Sequence, residues 1–96
     1  PGGSRIITTT LQVIQNVIDY DMPLNEAVSA PRFHMQWLPD ELRIEHDNGL
    51  SASDVEALTE MGYKLSLKPY MGDVNAIHID LRTGKITGSH DSRMEF

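Results

Sequence analysis

Ile6-Ile7-Thr8-Thr9-Thr10-Leu11-Gln12-Val13-Ile14-Gln15-Asn16-Val17-Ile18-Asp19-Tyr20 is the most strongly periodic stretch of this 96-residue chain. Ile7, Leu11, Ile14 and Ile18 recur at helical spacing, and Ile6, Val13 and Val17 widen the same face. Thr9, Gln12, Gln15, Asn16 and Asp19 fill the other side. The spacing predicts an amphipathic helix over 6–20 with a broad aliphatic stripe buried. Ser4 stands where an N-cap is expected, its hydroxyl accepting from a first-turn amide. Arg5 opposes the helix dipole at that end, so its charge calls for another use.

Working outward, Pro23 and Pro31 bracket a short second helix over 24–30. Two extended runs follow, 32–38 and 41–46, with Pro39-Asp40 between them in the pattern of a type I reversal, which makes a hairpin. Ser53-Asp54-Val55-Glu56 reads as a capping box opening a third helix, and Gly62 ends it. Leu65 and Leu67 alternate with polar residues in a strand stopped by Pro69. Ile77, Ile79 and Leu81 alternate with Ala76, His78 and Asp80, and Thr83-Gly84 returns the chain through 85–90. The order ααββαβββ, with hairpins outnumbering βαβ units, predicts an α+β class with a mostly antiparallel sheet.

Eight basic against fourteen acidic residues leave a formal charge of −6. No basic stripe exists to displace counterions, so neither nucleic acid nor an anionic membrane is an expected partner. No apolar run approaches the roughly 20 residues a membrane span requires. The absence of cysteine excludes a disulfide scaffold, a thiol nucleophile and Cys-type zinc sites. The chain opens without methionine and closes directly after a strand-like run, so we read 1–96 as a single partial domain cut from a longer protein.

Most chemistry-bearing side chains have an ordinary structural reading. Asp19, Asp21, Asp40, Glu41 and Asp80 fall where solvated turn and edge acids belong. His34, His46, His78 and His90 show no metal-ligand spacing, and His78 with Asp80 reads as a polar pair on a sheet face. The methionines at 22, 35, 61, 71 and 94 read as gap-fillers. Trp37 reads as core or interface packing. No cofactor motif is present. The exception is the amino terminus, where Gly2 and Gly3 run straight into the first helix. Two successive amides without side chains can point at one anion and let a substrate approach the backbone, as an oxyanion hole requires. A plain loop, or an anion site on a self-contained acidic interaction module, would have the same pattern.

The segment Pro1-Gly2-Gly3-Ser4-Arg5-Ile6 resembles one in the small subunit of gamma-glutamyltranspeptidases. The resemblance continues through Asn25-Glu26-Ala27-Val28, Ala30-Pro31-Arg32-Phe33-His34, the run Gln36-Trp37-Leu38-Pro39-Asp40-Glu41-Leu42, Met61-Gly62 and Met71-Gly72. It implies an N-terminal nucleophile hydrolase with an αββα sandwich, of which this chain is the carboxyl-terminal portion of the small subunit. It further implies a threonine nucleophile upstream of Pro1 that attacks a γ-glutamyl amide such as glutathione. Gly2 and Gly3 would supply the oxyanion-hole amides, and Gly3 would also hold the γ-glutamyl donor.

The implied partners are the large subunit and the earlier part of the small subunit. The implied location is periplasmic or extracellular. Thr8, Thr9 and Thr10 lie inside a helix and cannot replace a nucleophile that uses its own α-amino group as base. The isolated chain is therefore expected to be inactive, and to self-associate through strand edges and an uncovered helix stripe. Two departures stand out. Asp91-Ser92-Arg93 replaces an Asp-Pro-Arg element, and Met35 replaces a frequent histidine.

Overall fold

A computed structural model of the chain describes residues 3–46 and 49–94. The elements run α1 Arg5–Ile18, α2 Leu24–Ser29, β1 Phe33–Gln36, β2 Glu41–Glu45, α3 Ala52–Glu60, β3 Leu65–Lys68, β4 Asn75–Ile79 and β5 Ile86–His90, then a 3₁₀ turn Ser92–Met94. One sheet has the order β1-β2-β3 and a second is the hairpin β4-β5. The class is α+β, as expected, and both hairpins are antiparallel. β3 lies parallel to β2, Leu42 facing Leu65 and Ile44 facing Leu67. β2-α3-β3 is therefore a βαβ unit that the strand count alone concealed. Alternation shows which residues share a face but carries no information on the direction of pairing.

α1 is turned opposite to expectation. Ile7 and Ile18 are each 73% exposed and Leu11 51%, whereas Thr9 and Val13 are buried. The face turned toward the rest of the chain is a mixed one, with Thr9, Gln12 and Asn16 beside Val13 and Val17. Gln12 Nε2 donates to the Phe33 carbonyl at 2.7 Å while the Phe33 amide donates to Gln12 Oε1 at 3.1 Å. One turn on, Asn16 Nδ2 donates to the Ala27 carbonyl at 3.1 Å. These amides satisfy backbone groups that would otherwise lack partners, and aliphatic side chains could not do so. Periodicity requires that the stripe be covered by something; it does not say by which part of a protein.

α2 is the hub of the small apolar core. It packs on α1, β4 and β5, with Val28 fully buried beside Val13 and Leu24, and Val17, Val74 and Ala76 around them. The β4-β5 hairpin repeats the inversion of α1. Ala76 turns inward, and Ile77, Ile79, Leu81 and Ile86 are exposed. The radius of gyration is 14.5 Å, against about 13 Å for a compact domain of this length, and the chain extends 45 × 25 × 25 Å. No described helix is long and apolar enough to cross a membrane.

Several local expectations are corrected. Ser4 is in helical conformation and makes no cap bond; its hydroxyl turns to Gln36 instead. The α3 cap is Ser51, whose Oγ accepts from the Asp54 amide at 3.3 Å, with Ser53 Oγ hydrogen-bonded beside it at 3.1 Å. Gly62, at φ +98°, ends α3 as expected. Its amide donates to Thr59 and that of Tyr63 to Leu58, the pair of bonds of a Schellman motif. The β1-β2 turn contains a cis Leu38–Pro39 peptide, and Trp37 in that turn is 86% exposed, so it is not core. Met71 is buried as a gap-filler, whereas Met61 is exposed and, with Met35, lines an apolar groove of about 500 Å³ between α3 and the first sheet.

Candidate functional site

Gly3 sits at the head of α1 with φ +63°, the left-handed region that only glycine enters freely. Its carbonyl accepts from the Ile6 amide at 3.1 Å and closes the first turn. A Cβ added at Gly3 would meet nothing within 4 Å, so backbone conformation, not crowding inside this chain, is what requires glycine. The expected partner in the pair, Gly2, lies outside the described residues.

Beneath that head runs a network of side chains. Gln36 Nε2 donates to the Leu38 carbonyl at 2.6 Å, which leaves Oε1 as acceptor. Oε1 receives Ser4 Oγ and His34 Nε2, each at 2.8 Å. His34 Nε2 therefore carries a hydrogen, and in the neutral ring Nδ1 accepts from Thr8 Oγ1 at 2.8 Å. His34 is 3% exposed. Thr8-His34-Gln36 has the connectivity of a nucleophile, a base and an orienting group. However, both ring nitrogens are taken up by protein partners, Thr8 is inside the helix, and its hydroxyl also faces the Arg5 carbonyl at 3.4 Å. The arrangement holds a helix to a strand. In the sequence His34 is one of four scattered histidines, and its place two residues from Gln36, on one face of a strand, is the available signal.

A second cluster lies where β1, β2 and the end of β5 meet. Arg32 Nη1 donates to Asp91 Oδ2 at 2.7 Å and to the Met71 carbonyl at 2.6 Å, while Nη2 donates to the Val28 carbonyl at 2.8 Å. Arg93 donates to Glu45, to Asp91 Oδ1 at 3.1 Å, and to the carbonyls of Val28 and Ala30. Glu45 in turn accepts the amides of Arg32 and Met71, each at 2.9 Å. Two cations and two anions balance.

Burial pushes the Arg32 guanidinium down, with help from neighbouring Arg93, and the Asp91 contact only partly offsets this. Burial alone would raise Asp91, but the amides of Arg93 and Val74 and the two guanidinium groups hold it below the usual carboxylate range. Burial would likewise lower Arg93, and Glu45 and Asp91 raise it instead. Arg32 Nε is buried and has no partner among the described residues. With every other polar atom of the cluster engaged internally, its role is to clamp three segments together.

The other candidates are dispersed. Asp80 Oδ1 accepts from the Arg82 amide within the β4-β5 turn and His78 is exposed, so their shared face makes no site. Glu41 pairs with Arg43 at 3.3 Å, Asp19 caps α1, and Asp21 and Asp40 are exposed. Among the described residues no group of three His, Cys, Asp or Glu side chains is placed to hold a metal ion.

The family model described as Gamma-glutamyltranspeptidase matches residues 1–95. A glutathione hydrolase proenzyme of Escherichia coli K12 is 48% identical over 93 residues, which is 97% of this chain and 16% of the relative. The solved T380A mutant of Helicobacter pylori gamma-glutamyltranspeptidase is 63% identical with a TM-score of 0.90, over 97% of this chain and 50% of that one. The Pseudomonas nitroreducens gamma-glutamyltranspeptidase complexed with L-DON is 37% identical with a TM-score of 0.89, over all of this chain and 50% of that one. This chain thus spans about a sixth of that curated relative and half of these two solved chains. Its α+β architecture is part of an N-terminal nucleophile hydrolase sandwich, and the chain belongs to the gamma-glutamyltranspeptidase family.

Proposed function

We propose that this chain is the carboxyl-terminal part of a small subunit that transfers γ-glutamyl groups, and that Gly2 and Gly3 form its oxyanion hole. On this reading, a threonine upstream of Pro1 attacks the γ-glutamyl amide carbonyl of a donor such as glutathione, its own α-amino group taking the proton. Negative charge builds on the carbonyl oxygen, and the two amides donate to it. Collapse expels the protonated amine and leaves a γ-glutamyl ester on the threonine, which water or an amino acid or peptide amine then cleaves. No metal or cofactor enters the scheme. Gly3 also helps to seat the donor.

The observation carrying this reading is the left-handed Gly3 at the head of α1, with open space where a side chain would stand. The large subunit and the earlier part of the small subunit would cover Ile7, Leu11, Ile14 and Ile18 of α1 and the aliphatic face of β4-β5, all exposed here. Those faces count against a self-contained module. Periplasmic or extracellular placement rests on the family resemblance.

The test is turnover of γ-glutamyl p-nitroanilide by the full-length protein and its Gly3→Ala variant. A Cβ strains this left-handed residue by about 1–2 kcal/mol, and the strain is relieved when φ shifts and re-aims the amide. The kcat should then fall by up to about 100-fold, the scale of losing one oxyanion donor, with the nucleophile still titratable. Unchanged kcat would refute the assignment. The isolated chain should show no turnover.

A further inference from the structure

We propose that His34 and Gln36 are positioning residues that set the direction of the Gly3 amide through Ser4 and Thr8; this rests on the oxyanion-hole reading of Gly3. A left-handed glycine has little intrinsic preference for one orientation, so something must fix the peptide planes around it. The usual device, an N-cap side chain turned back onto the helix amides, is missing: Ser4 is helical and its hydroxyl points away. It donates to Gln36 Oε1 at 2.8 Å, which ties the residue next to Gly3 directly to β1. Gln36 Oε1 is itself held by the buried ring of His34, and that ring is held by Thr8 one turn further along α1. The first turn of the helix is thus pinned to β1 at both ends, at Ser4 and Thr8.

β1 is a rigid base for such a clamp. Its residues pair with β2 in register, His34 with Arg43 and Gln36 with Glu41, and Gln12 holds its outer edge at Phe33. The hydroxyl, imidazole and carboxamide form one continuous chain of short hydrogen bonds, three of them at 2.8 Å. A packing role alone would place apolar side chains under the turn. A misplacement of about 1 Å in a group that meets the reacting atom can cost ~100-fold in rate, so a clamp of this kind matters to catalysis.

The experiment uses the full-length protein with γ-glutamyl p-nitroanilide and its thioamide analogue, rates being expressed per titrated nucleophile. Sulfur accepts hydrogen bonds poorly, so the oxygen-to-sulfur rate ratio reports how well the hole engages the developing charge. The wild-type ratio should be large. Gln36→Leu and His34→Leu should lower kcat for the oxygen substrate by about 10- to 100-fold, with a smaller rise in KM because Gly3 also seats the donor, and with the ratio reduced toward unity. Gln36→Glu, which keeps an acceptor for Ser4 and His34, and His34→Gln, which keeps a donor at the Nε2 position, should recover part of the ratio. Ser4→Ala lies at an exposed position and does not threaten folding, and it should lower the ratio several-fold. A large wild-type ratio left unchanged in Ser4→Ala, Gln36→Leu and His34→Leu would overturn the positioning role while leaving the oxyanion hole intact. A wild-type ratio near unity would overturn both.

Discussion

Arg32 and Asp91, 59 positions apart, meet at 2.7 Å with side chains 2% and 0% exposed. This ion pair ties the start of β1 to the end of β5, and Arg93 and Glu45 close it into a neutral four-residue cluster. Charges this well buried hold the fold together only while the set is complete.

Removing one charge should therefore destabilise strongly. Arg32→Met leaves Asp91 and Glu45 facing Arg93 alone and strips donors from the Met71 and Val28 carbonyls. We expect a loss of about 3–5 kcal/mol in urea denaturation of the full-length protein. Arg32→Lys keeps the charge but cannot reach both carbonyls and the carboxylate, so it should recover only a minor part.

Acid should act through Asp91. Its carboxyl is held below its unfolded value of about 3.9, so the unfolded chain binds protons first as pH falls. Its stabilising contribution is complete above about pH 4 and is lost as pH descends from there through the lower, folded value. Melting temperature followed between pH 6 and 2.5 should drop more steeply in the wild type than in Asp91→Asn, which starts lower and declines less.

Gly72 should not accept a side chain. It has φ +78°, and an added Cβ would lie 2.9 Å from Thr9 Cγ2, on a stiff β-branched side chain inside α1. Gly72→Ala should cost about 2–4 kcal/mol, the sum of backbone strain and overpacking. Combining it with Thr9→Ala should return about 1–2 kcal/mol relative to additivity, as a double-mutant cycle of chemical denaturation would reveal.

Ile7→Glu and Ile18→Glu should have opposite effects in two settings. In the isolated chain both positions are exposed, and the charges should suppress the self-association expected from the bare stripe, as measured by sedimentation velocity. In the full-length protein, where the stripe is read as covered, each should cost about 2 kcal/mol or more in thermal or urea unfolding. Matching effects in the two settings would show that nothing covers this face.

How much of this was legible beforehand depended on the distance over which the information acts. α1, the Gly62 stop and both hairpins rest on spacing within a few residues, and these readings agree with the structure. The parallel pairing of β3 with β2, the outward turn of Ile7, Leu11, Ile14 and Ile18 on α1 and the Arg32–Asp91 contact depend on partners far along the chain. Alternation and periodicity have nothing to say about those. At the proposed site, Gly3 was picked out by its bare backbone and its family resemblance, and the structure adds its positive φ. The contacts beneath it were not legible, because the hydrogen bonds of His34, Gln36, Ser4 and Thr8 emerge only when a strand is laid against a helix 26 to 32 residues away. Ser4 shows the difficulty well: its residue type pointed to a cap that accepts from a helix amide, and its hydroxyl instead donates to Gln36 Oε1 on β1.

The Gln12 carboxamide has a consequence for how the sheet can be extended. By occupying both the amide and the carbonyl of Phe33, it plugs the outer rim of β1 with a side chain shaped like a peptide group. A foreign strand arriving on that side finds its first docking slot filled and must either dislodge Gln12 or begin pairing further along. One glutamine on a helix thus acts as a stopper against runaway sheet growth, at little expense in length.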